Sequence, residues 1–310
     1  MNRSWVGLIA AVGVFSFGSC GKKQEAAPSG EPPAQVVAAP GKGLSAVDKS
    51  AGEFALIPAG GFLMGDAVDD MKRAPLRTVY VSAFWMAKHE VTKAQWDEVM
   101  AWSMSHGYTD LPSGSGKAAD HPVHTISWYE AVKWCNARSE KERRIPCYTV
   151  SEAVYRTGKS DPACNWKANG YRLPSEAEWE KAARGGLSGK RYPSGDSIGT
   201  TEANYSFEGN PWVTESTPQT SPVGSYPANG YGLFDTAGNV WEVCWDWFGD
   251  YPTSDNSTDP RGPTSGTDRV RRGGSWRRNA FFCRVGQRYG DFPDSASHGI
   301  GFRVAHSAAP

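Results

Sequence analysis

The chain has 310 residues, with 33 basic and 33 acidic side chains, so its formal charge is zero. Such a balance gives no broad positive field for nucleic acid, and nucleic-acid binding is excluded on that ground. Thirteen Trp, 35 Gly and 21 Pro predict many turns held by aromatic plugs; no repeat at a period of roughly 20–50 residues recurs, which argues against solenoids and propellers.

In chain order, Arg3 supplies a positive start, Trp5 to Phe17 an apolar run, and Phe17-Gly18-Ser19-Cys20 a small-residue end before cysteine. The run is shorter than the roughly 20 residues of a membrane-spanning helix. It reads as a lipoprotein signal over 1–19, with Cys20 lipidated after cleavage. The alternative, an ordinary signal peptide with a chance cysteine, also exports the chain. Gly21 and Lys22 do not resemble an inner-membrane retention signal, so the expected place is the cell envelope, anchored by lipid at the outer membrane on its periplasmic or surface side. Residues 20–50 hold almost no large apolar side chains and predict a disordered tether. A single domain is expected over 51–306.

Two strands, Phe54 to Met64 and Arg77 to Trp85, predict an opening hairpin. Thr92 three residues before Gln95, Ser127 before Glu130 and Ser175 before Glu178 are three capping boxes. They predict helices through about Ser105, about Lys141 and about Arg184, the last ended by Gly185-Gly186. Beyond Gly186, short apolar runs such as Gly301-Phe302-Arg303-Val304 predict short strands linked by long loops, and the fold class is α+β. His121-Pro122-Val123-His124 holds two imidazoles, but the proline argues against a helix that would align them, so a loop role is expected. No phosphate-cradling Gly-Lys-Ser/Thr motif or nucleophile elbow appears.

With Cys20 lipidated, five cysteines remain, and an odd number leaves at least one thiol free or intermolecular. Cys147 and Cys164 close a short loop and are the expected disulfide. Cys135, on an apolar helix face, is expected to be a buried inert thiol.

Seven segments then carry a resemblance: Gly61-Phe62-Leu63-Met64-Gly65, Lys88-His89-Glu90-Val91-Thr92, Ser127-Trp128-Tyr129-Glu130-Ala131, Arg172-Leu173-Pro174-Ser175-Glu176-Ala177-Glu178-Trp179-Glu180, Gly230-Tyr231-Gly232-Leu233-Phe234-Asp235, Gly238-Asn239-Val240-Trp241-Glu242 and Arg272-Gly273-Gly274-Ser275-Trp276. They resemble, in order, the motifs of the formylglycine-generating enzymes, or sulfatase-modifying factors. The resemblance implies an elaborated C-type-lectin fold and, in active members, oxidation of a sulfatase cysteine by dioxygen at a copper ion held by two cysteines after the Gly-Gly-Ser motif.

Counted from Gly273, the two copper-cysteine positions are Arg278 and Cys283, and the neighbouring position, often histidine, is Asn279; Ser275 completes the catalytic set the resemblance implies. A guanidinium does not ligate copper(I). Cys244 near Cys283 would restore a pair; the alternatives are a disulfide between them or two separately buried thiols. The resemblance also implies calcium at Asp235, Gly238, Val240 and Glu242, where two carboxylates flank a glycine turn, against the plain reading of a capped turn with Glu242 paired to an arginine. A second calcium set would use Asn204, Tyr205 and Glu215. The ergothioneine-synthase relatives carry an extra helical domain with iron-binding histidines that this chain lacks.

Between the two family-constant ends lie Trp276, Arg277, Phe281, Phe282, Arg284, Arg288 and Tyr289, aromatic and arginine anchors of the kind that binding surfaces use. Two functions therefore compete: an oxidase acting on a sulfatase peptide, and a lipid-tethered domain binding a peptide or other surface ligand.

Overall fold

The computed structural model describes residues 52–308 apart from 67, 70, 208–218 and 252–256. The signal, the tether, Cys20 and Glu215 lie outside the described residues.

In chain order the strands are β1 (Phe54–Ile57), β2 (Gly60–Met64), β3 (Arg77–Val81), β4 (Phe84–Ala87), β5 (Tyr148–Val150), β6 (Ala153–Val154), β7 (Ala163–Cys164), β8 (Trp241–Trp247), β9 (Ser257–Thr258), β10 (Arg269–Arg272), β11 (Tyr289–Asp291), β12 (Ile300–Gly301) and β13 (Ala305–Ser307). The helices are α1 (Lys93–Ser103), α2 (Trp128–Lys141) and α3 (Glu176–Arg184). This is the α+β composition expected, with three main helices and short strands.

The expected opening hairpin is four strands in two sheets. β1 pairs with β4, whereas β2 pairs with β3. Pro58, between β1 and β2, has no N–H for a ladder, and Gly60 takes φ +149°, so the chain changes sheet there. β13 adds to the other side of β4, which makes β4 the central strand between β1 and β13. The sheet that carries the site has the order β11-β10-β8-β12, with β12 parallel to β8.

All three capping boxes form. Thr92 Oγ1 accepts the Gln95 amide at 3.2 Å while Gln95 Oε1 accepts the Thr92 amide at 3.0 Å, and the Ser127–Glu130 and Ser175–Glu178 pairs repeat the arrangement. α1 and α2 pack through Trp96 and Trp134, stacked at 6.0 Å with Phe302 edge-on to both. α3 differs: all nine residues are buried, Glu176, Glu178, Glu180, Lys181 and Arg184 included. Buried charges persist only when paired or hydrogen-bonded, and each of these is. Glu178 takes both Arg172 Nη atoms at 2.6 and 2.8 Å, Glu180 takes Arg184 and Arg272, and Lys181 Nζ donates to the carbonyls of Pro58, Gly60 and Val81.

The expected Cys147–Cys164 disulfide is not formed; both are free thiols. Tyr148 pairs with Cys164 across β5 and β7, and the Asn165 amide donates to the Cys147 carbonyl. Cys147 thus stands one register step from Cys164, and one step turns a side chain to the other face. Its Sγ donates instead to the Gly170 carbonyl at 3.3 Å. Cys135 is fully buried on α2.

Candidate functional site

The site forms where the Gly273-Gly274-Ser275 turn after β10 docks on the Gly238-Asn239 turn before β8. The Gly238 amide donates to the Gly273 carbonyl at 2.8 Å, and the Trp276 amide to the Asn239 carbonyl at 2.9 Å. Gly274 has φ +77°, and a Cβ there would meet Cys283 Sγ at 2.7 Å and the Phe282 carbonyl at 2.9 Å. The glycine pair is therefore required by close approach as well as by backbone conformation.

That packing fixes the fate of the copper-position residues. Cys283 ends a short 3-10 turn, Ala280–Cys283, and has no exposed surface. Burial pushes its thiol up to about 12, although the amides of Gly238 and Ser275 act in the opposite direction. Arg278 is exposed; its amide closes a turn onto the Ser275 carbonyl at 2.9 Å, and its guanidinium lies 5.3 Å from the Phe282 ring centroid. Asn279 is exposed beside it, and Ser275 is buried.

Cys244 does not join them. It belongs to the core cluster around Trp179 and Val270, whereas Cys283 packs with Tyr192, Ala203 and Tyr205, and both are free. Of the alternatives open in the sequence, two separately buried thiols is the one found. A copper ion held as in the active enzymes does not fit: one ligand position carries a guanidinium, and the other thiol is enclosed.

Outside this turn the side chains make an aromatic and cationic face. Trp241 on β8 lies edge-on to Phe282 at 6.2 Å and tilted to Tyr289 at 5.7 Å, and Phe281 packs edge-on to Phe282 at 5.4 Å. The Arg271 guanidinium sits 4.7 Å from the Tyr289 ring and 5.4 Å from Trp241. Phe281 is 50 % exposed and Tyr289 36 %, so the face opens to solvent. Arg277 is exposed over the Trp276 ring at 5.3 Å. Trp276 itself is buried, its Nε1 donating to the His298 carbonyl at 3.2 Å.

Three expected ligand-binding residues are corrected, the buried Trp276 among them. Arg284 is buried against Asp69, and Arg288 holds Glu176 through Nε and Nη2 at 2.6 and 2.7 Å; both hold loops together. Trp241 and Arg271 were missed as site residues. Their signal was present, since each lies within two residues of a quoted motif position.

The side chains of the expected calcium set differ in how far their oxygens are already engaged. Glu242 gives Oε1 to Arg303 Nη2 at 2.7 Å and Oε2 to Arg303 Nε at 2.8 Å and Trp179 Nε1 at 2.7 Å. It is paired to an arginine, and Glu242 as a cation ligand is corrected on that account. Asp235 does fit: Oδ2 accepts the Gly224 amide at 2.6 Å, while the buried Oδ1 has no hydrogen-bond partner. Burial pushes Asp235 up to about 6. Glu90, unnoticed as a site residue, is fully buried beside them, accepting Asn239 Nδ2 at 2.6 Å and the Val240 amide at 3.1 Å. Burial, then the charges of Asp235 and Glu242, push it well above the usual carboxylate range. Among the described residues no three His, Cys, Asp or Glu side chains form a metal-holding group. For the second set, Asn204 Nδ2 donates to the Gln219 carbonyl and the Tyr205 hydroxyl to the Ile198 carbonyl.

His121 and His124 lie in loops, as expected; His121 Nδ1 contacts Thr220 Oγ1 at 2.8 Å, and the His124 ring faces His298 at 5.7 Å.

Among the described residues, short strands in four small sheets, three capped helices and a Gly-Gly-Ser turn beneath an aromatic face define an elaborated C-type-lectin-like fold of the sulfatase-modifying kind. Residues 43–308 match the family model for the sulfatase-modifying factor enzyme 1-like domain, and the chain belongs to this formylglycine-generating-enzyme family. It is 36% identical to the formylglycine-generating enzyme of Streptomyces coelicolor over 81% of this chain and 88% of that one. It is 32% identical to that of Bos taurus over 82% of this chain and 74% of that one. Among solved structures, Treponema denticola variable protein 1 superposes with a TM-score of 0.68 at 33% identity, over 82% of this chain and 95% of that one.

Proposed function

We propose that this chain is a non-oxidase member of the family that binds a peptide or another ligand on the aromatic and cationic face around Trp241, Phe281, Phe282, Tyr289 and Arg278. The observation that carries the reading is the pair of copper positions, with an exposed guanidinium at Arg278 and an enclosed thiol at Cys283. Thiolate is the copper ligand and nucleophile, and a thiol pushed up to about 12 by burial holds its proton at neutral pH. What remains is a set of anchors with planar faces and fixed positive charge, suited to an extended peptide. Relatives named as formylglycine-generating enzymes make a sulfatase-derived peptide the first ligand to try. Lipidation at Cys20 and a place in the cell envelope belong to the same proposal and rest on the sequence of residues 1–20 alone.

The calcium reading narrows to Asp235. Glu90, Asp235 and Glu242 set three negative charges against the single positive charge of Arg303, so two negative charges are left in the interior unless protons or a divalent cation offset them. Gly238 and Val240 would offer backbone oxygens only.

The deciding experiment is copper(I) titration of the purified protein, then incubation with oxygen and a Cys-x-Pro-x-Arg peptide, followed by mass spectrometry. The expected result is no formylglycine, no stoichiometric copper complex, and peptide binding weakened by Tyr289→Ala or Arg278→Ala. Formylglycine production abolished by Cys283→Ser would overturn the proposal and restore the oxidase.

A further inference from the structure

A second cavity lies apart from this face, between the N-terminus of α3 and the end of β8. It encloses about 260 Å³ and is walled by Met64, Tyr251, Pro260 and Pro263, with Arg77 and Arg261 among its lining side chains. Arg77 is 5 % exposed, and among the described residues no carboxylate pairs with it. Its Nη2 donates to the Ser257 hydroxyl, its guanidinium lies 5.1 Å from the Tyr251 ring centroid, and its Nε has no hydrogen-bond partner. A buried cation without a counter-charge is costly, and an unused guanidinium donor in a cavity wall calls for an anion.

Of the other charges around the cavity, Arg288, Glu176 and Asp246 are already engaged. Arg288 and Glu176 hold each other through two hydrogen bonds, and Asp246 Oδ2 accepts the Glu176 amide at 2.8 Å. Burial, followed by the charge of Glu176, raises Asp246 to about 7, so this carboxyl gives little compensation near neutrality. Arg261 stacks on Trp166 at 3.5 Å and reaches Glu178 only at 3.7 Å; its buried Nη1 has no hydrogen-bond partner. Asp250 lines the cavity but is exposed to water.

We propose that this cavity is a binding site for a small organic carboxylate, its carboxylate held at Arg77 and its apolar or aromatic body against Met64, Tyr251 and the two prolines. A volume below the about 300–1,000 Å³ of drug-sized pockets sets the size class. Lining that is mainly apolar favours a single carboxylate over a free phosphate. The site is separate from the Trp241 face, so the failure of either proposal leaves the other standing.

The test is calorimetric titration of the full chain with benzoate and phenylacetate, with benzamide as the neutral isostere and inorganic phosphate as the bare anion. Saturable binding of either carboxylate is expected, with benzamide and phosphate inert. Arg77→Gln should weaken it by about tenfold or more, the loss of a hydrogen bond to a charged group. Pro263→Trp, at an exposed wall position, should block binding without touching the guanidinium, which keeps the test valid if the arginine variant does not fold. No saturable carboxylate binding, phosphate binding alone, or binding unchanged in Pro263→Trp would each overturn the proposal.

Discussion

Asp246 shows how one buried carboxyl sets a pH dependence. Its carboxylate accepts the Glu176 amide at the start of α3, and burial together with the Glu176 charge raises it to about 7. A carboxyl whose folded value lies above its unfolded value of about 4 binds its proton more tightly in the folded state. Its stability contribution is therefore fully present below about pH 4 and is lost as pH rises through about 7. Asp246→Asn keeps an oxygen for the Glu176 amide and removes the titration. Relative to the parent, this variant should gain stability between pH 5 and pH 8 in urea unfolding; parallel profiles would show that Asp246 is not the group responsible. From sequence, Asp246 was one acidic residue among tryptophans, and nothing nearby announced Glu176, which is seventy residues away along the chain.

The three helices begin alike and are stabilised differently. α1 and α2 rest on apolar packing of Trp96, Trp128 and Trp134, so Thr92→Ala or Ser127→Ala should each cost about 1 kcal/mol, the ordinary value of a cap. α3 rests on paired charges. Its cap-box glutamate, Glu178, accepts the Ser175 amide at 2.8 Å and also holds Arg172. Ser175→Ala frees the Glu178 amide inside a buried network, where an unsatisfied polar group costs more. Its expected cost exceeds those of the other two, and equal losses in the three variants under chemical denaturation would rule out this difference. The capping boxes were legible because three residues suffice to write them. The total burial of α3 was not, because its arginine partners, Arg172 and Arg272, lie outside it, on the preceding loop and on β10.

At the scale of the molecule, Arg303 and Glu242 join the C-terminal segment to β8, while Glu90 holds the Gly238-Asn239 turn beneath the site. If calcium offsets the excess negative charge there, it stabilises the whole domain by linkage, by about 2.7 kcal/mol at a hundredfold excess over Kd. Millimolar calcium should raise the unfolding temperature, EGTA should reverse the rise, and Asp235→Asn should abolish it. An unfolding temperature indifferent to calcium would mean that protons, not a divalent cation, balance these carboxylates. The sequence by itself determined the family, the α+β class, the three helix starts and the Arg278 substitution, because each is written in neighbouring residues or in motif order. Only the tertiary structure decided that Cys147 misses Cys164 by one register step, that Cys244 and Cys283 lie in separate cores, and that Arg284 and Arg288 hold loops. Only it showed Glu242 occupied by Arg303 and Arg77 without a paired carboxylate among the described residues. Those outcomes depend on which distant segments meet and which way each side chain faces, and residue order along one strand does not encode either.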